Sequence, residues 1–565
     1  MANMPPGSNL TAAQQQQLAA QQQQMRALAN ATSQEALDEI VSIIRKYHPS
    51  LMNEKERVVS ELNHRFPPST EEDLLAHFRA LLGRCFKAPI MTNDEIPRYV
   101  RFHVDRVWAK ILQSVKHGCL LQEYNAMERD FRPPTRSAPN VHFPTNMEDL
   151  ISRIKRWKDH LRYALCRPSD SILRLDNLSP NLARLQTFEF ELPGQYFKDL
   201  DPPVENHLFV IGFEAPVLVK HRLGGSLRRI GFRTNDGAVH YFMLEPSSPM
   251  FNRSDERYAQ MLVYFNRFLD KNKETRRRQM VFRVPIAVPL GSRLRMCSSQ
   301  AGDVTMDEVY EHGCAVRGVD SDDAMLISRR TYARTEGGGI EANRAMRTQL
   351  YDSVSSNVVP DSMLSRFVHR SVPSPDQLFA FRKEFALQHG LCSFLCFSFF
   401  VTDRTPQKIT FSKQSARMLH TEFVMHYNQT GRDLEFVDFV PFRLTRNITH
   451  FLPPVLIEGP FSAALISASM CFSHLKAMDT IKHFLYLFCR DDIVSWHTNG
   501  FSQSDVVARQ QESTLRDKIA ANSSIIYKRI QSISAFSDAR EQRVRSFPCI
   551  FLRYCMPVGL ICPVS

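Results

Sequence analysis

SLRRIGFRTNDGAVHYFML, residues 226–244, sets the fold class. Two runs rich in β-branched and aromatic residues flank Asn235-Asp236-Gly237, and such runs about an Asp-Gly pair specify a hairpin. Around this hairpin the strand pattern continues. TFEFEL at 187–192 alternates polar and apolar residues, and HLFVIGF at 207–213 and PVLVK at 216–220 are strand-like. VFRVPIAVPL at 281–290 returns to strand. Between them Ser254 opens a helix with Tyr258, Met261, Leu262, Phe265 and Leu269 on one face. Strands, one helix and further strands predict a small α+β lobe over 187–300.

The flanking regions are helical. Upstream, Thr32 with Glu35, Ser69 with Glu72 and Thr145 with Glu148 each have capping-box spacing. Apolar stripes follow: Leu37, Ile40, Val41, Ile44 and Tyr47 up to Pro49; then Leu74, Leu75, Phe78, Leu81 and Leu82; then Leu150, Ile151, Ile154, Trp157 and Leu161. Another helix is expected over 99–121. These stripes are packing faces rather than binding sites. Downstream, Thr305 with Glu308 caps a short helix, and 375–399 reads as a long buried one. FVTDRTPQKITF at 400–411 and ARMLHTEFVMHY at 416–427 suggest a second hairpin. Helices near 459–473, 475–497 and 513–536 complete a larger helical lobe.

Composition narrows the class. The 565 residues are 43% hydrophobic and 23% charged, which excludes a wholly disordered or fibrous chain. A net charge of +12 favours acidic partners in general, but spread over this length it is weak evidence for nucleic acid. KNKETRRRQ at 271–279 reads as a solvated loop rather than as a contact for nucleic acid or an acidic protein. Twelve cysteines without a C-x-x-C pair point to buried thiols of an intracellular protein, not to disulfides or zinc. The opening lacks a signal peptide, and no run of 18 apolar residues occurs. The Gln tetrads at 14–17 and 21–24 mark a disordered leader.

Several segments together resemble the phosphatidylinositol-3-kinase-related kinases: SDERYAQMLVYFNRFL at 254–269, NVVPDSMLSRFV at 357–368, FVPFRLTRNITHFL at 439–452 and RDDIVSWHT at 490–498. IKRWKDHL at 154–161, FELPGQYF at 190–197 and MDEVYEHGCAVRGVD at 306–320 narrow the match to the transcription-associated members. The resemblance implies an α+β fold, with a helical N-terminal region from the end of a FAT domain before a bilobal kinase-like domain. It divides the chain into a Gln-rich leader (1–31), FAT-end helices (32–186), small lobe (187–300), large lobe (301–510), a partial FATC-like helix (511–545) and a divergent tail (546–565). The last four residues, CPVS, fit a prenylation pattern, but prenylation is not expected in that tail.

Phosphoryl transfer needs a cation on the phosphates, ligands for magnesium and a carboxylate near the attacking hydroxyl. Against the family's motifs, Leu244 stands at the lysine position, with Glu245 following it. The catalytic loop keeps Asp403 but carries Thr405 and Lys408 where the family has histidine and asparagine. The Asp-Phe-Gly metal motif aligns with Glu422, Phe423 and Val424. An ammonium cannot donate a lone pair to magnesium, and magnesium tolerates little misplacement of a carboxylate. Asp403 is then expected to be a structural carboxylate pairing with Arg404 or Arg443. The resemblance therefore implies a pseudokinase with no catalytic, cofactor-binding or metal-binding residues and no cofactor. Its expected role is that of a nuclear scaffold docking subunits of histone acetyltransferase complexes of the SAGA type. Activators would be contacted only through regions missing here, with no direct nucleic-acid or membrane contact. The alternative is an active protein or lipid kinase with an unorthodox metal site.

Overall fold

A computed structural model of the chain describes 35–67, 69–85, 95–96, 98–116, 120–135, 139–165, 171–187, 189–195, 203–222, 225–246, 254–291, 294–300, 302–319, 340–401, 404–420, 442–497 and 505–538, together with Phe423, Met425 and Leu434. It is an α+β fold. Helices α1 (35–47), α2 (Pro49–Arg65), α3 (Thr70–Cys85), α4 (Arg98–Lys116), α5 (Tyr124–Phe131) and α6 (Met147–Leu165) lead into a seven-stranded antiparallel sheet. Its strands are β1 (Ser171–Arg174), β2 (Val210–Phe213), β3 (Pro216–Arg222), β4 (Gly225–Thr234), β5 (Val239–Pro246), β6 (Ala287–Pro289) and β7 (Leu294–Ser299). They run in the order β1-β3-β4-β5-β7-β6, with β2 paired to β4.

The β4–β5 hairpin forms where the sequence places it. Arg233 pairs with Val239, and the reversal is made by Gly237 at φ 78°, a conformation that suits a residue without Cβ. Two capping boxes also form. The backbone N–H of Ser69 donates to the Glu72 carboxylate at 2.8 Å, and that of Glu72 donates to the Ser69 hydroxyl at 3.2 Å. Thr305 and Glu308 cap α9 (Met306–Arg317) reciprocally. The cap of α6 is Asn146 instead of Thr145: its side-chain oxygen accepts from Asp149 N at 2.8 Å. Thr32 lies outside the described residues. Pro49 starts α2 rather than ending the helical region, since proline at the first position of a helix loses no intrahelical bond.

Three large apolar cores organise the described residues. The first lies under the seven-stranded sheet, where Ile230, Phe232, Phe242, Leu244 and Met296 pack with Val58, Leu62 and Phe66 from the end of α2. The second is the helical bundle α3–α6, around Phe78, Val104, Phe131 and Leu150. The third and largest joins α12 (Pro375–Ser398), α14 (Ser462–Phe472), α15 (Leu475–His497) and α16 (Asp505–Asp538). Helix α7 (Ser254–Lys271) follows the small-lobe strands in sequence, yet its apolar face enters this third core. Phe265 lies 4.6 Å from Phe472, and Tyr258 stacks on Phe423 at 4.5 Å.

A three-stranded antiparallel sheet, β8 (Asp303–Thr305), β9 (Ile409–Ser412) and β10 (Met418–His420), borders the large lobe. It contains the expected second hairpin and adds β8, which the sequence did not announce. Between α9 and α12 lie α10 (Ile340–Asn357) and α11 (Met363–Ser371), and α13 (Arg446–Phe451) precedes α14. The helical stretch Pro454–Phe472 is apolar and long enough to cross a membrane, but half of it is buried inside the protein, as befits a core helix.

The α12–α14 contact is unusually close. A Cβ on Gly390 would lie 2.5 Å from the Phe461 carbonyl oxygen and 3.0 Å from the Ala464 Cβ. Next to it His389 is buried, its Nε2–H donating to the Arg443 carbonyl at 2.9 Å. Burial lowers its pKa to about 4. His420 is likewise held well below its ordinary value by burial first, then by Arg404 and His389.

Two expectations follow from this contact. Gly390→Ala pushes α12 away from the 457–461 turn and lowers stability by about 1–3 kcal/mol in a denaturant melt. Stability also falls on acidification. The unfolded chain protonates these imidazoles near pH 6.5, whereas folded His389 stays neutral down to about pH 4, so folding loses ground between those values. His389→Gln, which keeps a donor for the Arg443 carbonyl, flattens a plot of melting temperature against pH across that window.

Candidate functional site

The space between the lobes is bounded by β3, β5 and β7 above and by β8–β10 and the start of α9 below. Strand alternation decides which side chains reach it. On β5, Phe242 and Leu244 turn into the small-lobe core, while Met243 and Glu245 face the cleft. Leu244 is wholly buried and does not line the site. The residue that this strand offers to a ligand is Glu245, one position beyond the expected Leu244.

Glu245 is occupied. Its register partner on β7 is Arg295, whose Nε and Nη2 donate to Glu245 Oε2 at 3.1 and 2.9 Å. Lys220, the cleft-lining cation of β3, is ion-paired with Glu308 in the first turn of α9. Glu308 serves twice, since its second carboxylate oxygen accepts from Thr305 N at 2.8 Å. At the rim Arg283 grips Asp303 in a bidentate pair of 2.6 and 2.7 Å, and Asp303 also accepts from Gln300 N at 2.8 Å. These pairs are largely shielded from water, where a charge keeps its partner or costs several kcal/mol.

The remaining wall includes Tyr258, Cys297, Ser298, Thr410, Leu419 and His420. His420 is buried; its Nδ1 lies 3.8 Å from Cys396 Sγ, and its Nε2 has no hydrogen-bond partner. With its pKa depressed, the ring is neutral at physiological pH. Burial raises the Cys392 thiol strongly and the Cys396 thiol to about 11, so neither is a nucleophile at neutral pH. The cavity among these side chains is about 60 Å³. Pockets for drug-sized ligands start at about 300 Å³.

Of the other positions expected in a kinase centre, Asp403, Glu422 and Val424 lie outside the described residues. So does the expected pairing of Asp403 with Arg404 or Arg443. Thr405 precedes a single tight turn, Pro406–Lys408, and makes no side-chain cap bond. Lys408 is half-buried, its N–H donating to the Thr405 carbonyl at 3.0 Å. Neither Thr405 nor Lys408 lines the cavity. Gln407, between them, donates to Asp307 Oδ2 at 2.8 Å and ties the loop to α9. Arg404 is buried. Among the described residues no cluster of three or more His, Cys, Asp or Glu side chains could hold a metal ion.

The cleft-lining charges Lys220, Glu245, Arg295 and Asp303 were not anticipated from the sequence. The signal for them was a charge at an inward position of an otherwise apolar strand, as Glu245 in YFMLEP and Arg295 in LRMC.

The family described as phosphatidylinositol 3- and 4-kinase matches residues 252–498. The Saccharomyces cerevisiae "SAGA complex/NuA4 acetyltransferase complex subunit TRA1" is 26% identical, over 88% of this chain and 13% of that protein. The human "Transformation/transcription domain-associated protein" is 24% identical, over 81% of this chain and 12% of its own length. The Schizosaccharomyces pombe Tra1 subunit is 25% identical, over 88% of this chain and 14% of that protein. The chain thus spans about an eighth of the length of these relatives. A solved structure, the open conformation of CtTel1, aligns with 97% of this chain and 22% of that one, at 16% identity and a TM-score of 0.47. Residues 252–498 thus match the phosphatidylinositol 3- and 4-kinase family, and over most of its length the chain is similar to the Tra1 and transformation/transcription domain-associated proteins.

Proposed function

We propose that the chain is a catalytically inactive, kinase-fold subunit that acts as a docking scaffold in nuclear histone acetyltransferase complexes. The observation that carries the reading is the cleft itself: its cations Lys220 and Arg295 are already neutralised by Glu308 and Glu245, and the space left is about 60 Å³. A nucleotide triphosphate brings several negative charges and needs cations on its phosphates and ligands for its magnesium. On this strand it meets a carboxylate. The described residues therefore do not fit magnesium-nucleotide. The family's motifs agree, with Thr405, Lys408, Glu422 and Val424 standing where histidine, asparagine, aspartate and glycine are expected.

The names of the relatives support the partner class: two are subunits of SAGA and NuA4 acetyltransferase complexes. A nuclear location goes with that role. The folded surface of the two lobes, rather than the cleft, would do the work of docking.

Two measurements test this. The tagged full chain, expressed in cells, should co-fractionate with acetyltransferase activity on histones, and Lys220→Met should leave the recovered activity within about twofold. Absence of that activity from the wild-type fraction overturns the scaffold role. Magnesium-dependent transfer of the γ-phosphate of ATP by the purified chain, lost in Lys220→Met, overturns the inactivity. In a denaturant melt, Lys220→Met should cost about 1–3 kcal/mol, because Glu308 is left partly buried without its cation.

A further inference from the structure

KNKETRRRQ at 271–279 is not a loop but a built corner between the end of α7 and the short helix α8 (Lys273–Arg277). Asn272 caps α8, its side-chain oxygen accepting from Glu274 N at 3.0 Å and Thr275 N at 3.3 Å. Thr275 is fully buried and donates its hydroxyl to the Leu269 carbonyl. Met280 N closes back on the Thr275 carbonyl at 3.0 Å. From α14, Cys471 Sγ donates to the Phe268 carbonyl at 3.4 Å, which fixes the corner to the large lobe.

Outward, this rigid corner presents cations. Lys271, Lys273, Arg276 and Arg277 are exposed, and none of them forms an ion pair among the described residues. Arg267, one turn before Lys271, lies 5.2 Å over the ring of the exposed Tyr264. Arg278 engages Glu274, the first of several nearby cations that hold this carboxyl below its usual range, and Asp270 is the other acid. Residues 264–278 thus hold six cations against two acids, a net +4 of the chain's +12. Exposed like charges on a fixed scaffold repel one another until an anion answers them.

The partner is constrained by what is missing. From Phe265 to Met280 no large hydrophobic side chain is exposed, and the exposed Tyr264 ring at the edge lies under Arg267. Acidic peptides are held by cations beside apolar pockets that take their anchor residues. A nucleic-acid backbone is held by cations alone. We propose that this corner binds the phosphate backbone of duplex DNA without regard to base sequence. Such binding departs from the expectation of no direct nucleic-acid contact, and it is independent of the reading of the cleft.

The test is fluorescence anisotropy of the full chain with a labelled duplex of about 30 base pairs, titrated across about 50–200 mM salt. Lys273→Glu/Arg276→Glu/Arg277→Glu should weaken binding at least about tenfold and lower the slope of log affinity against log salt by about 3, near 0.9 for each phosphate no longer neutralised. The milder triple replacement by Gln should act in the same direction, with melting temperature confirming the fold of both. Lys55→Glu/Arg57→Glu/Arg101→Glu makes the same charge change at exposed positions elsewhere and should leave affinity within about twofold. Equal losses in the corner and control variants would overturn the assignment. So would undetectable binding by the wild-type chain at about 100 mM salt, or displacement of the duplex by poly-glutamate at equal charge, which would assign the corner to an acidic protein.

Discussion

The Glu308 carboxylate is the point on which the relation between the lobes depends. One oxygen closes the capping box that starts α9, and the other takes Lys220 from β3 of the small lobe. A single side chain therefore fixes a helix terminus and joins two lobes across the cleft. The cap orients the carboxylate at no further entropic cost, so the ion pair meets a partner already held in place. The Arg283–Asp303 fork reinforces the joint from the strand that enters the lower sheet. Both contacts narrow the space in which a kinase would hold nucleotide.

The charge pattern inside the cleft follows from the same constraint. A strand position facing a phosphate site would gain from a cation, but here β5 supplies Glu245, and β7 answers with Arg295 directly opposite. Cross-strand opposite charges stabilise a sheet. Below, the ring of His420 is kept neutral by burial and by the Arg404 charge. Among the described residues, the imidazole on the floor of the cleft is therefore uncharged at physiological pH.

Much of this was legible in the sequence because it is local. The hairpin about Asp236-Gly237, the boxes at Ser69 and Thr305, and the Leu475–His497 helix rest on side chains within four residues of each other. What was missed depends on distant partners. Phe242, Met243 and Leu244 are all apolar, so only the charge of Glu245 hints at which parity faces the cleft; Phe232 and Met296 decide it by packing. Helix α8 spans one turn, too short for periodicity, and its order comes from the Asn272 cap and the burial of Thr275. Helix α7 reads as small-lobe by its place in the chain, yet its face is claimed by Phe423 and Phe472, far away in sequence. The kinase-like motifs were readable as residues, but the ion pairs that fill the cleft join β3 to α9 and β5 to β7.

The central claim is that the cleft is satisfied by its own charges and takes no nucleotide. Thermal unfolding of the purified full chain with and without about 1 mM Mg-ATP tests it most directly. A site with a dissociation constant near 10 μM would add about 2.7 kcal/mol and raise the melting temperature by a degree or more. The account predicts no shift in a cooperatively folded sample. A magnesium-dependent rise that vanishes in Lys220→Met would contradict it.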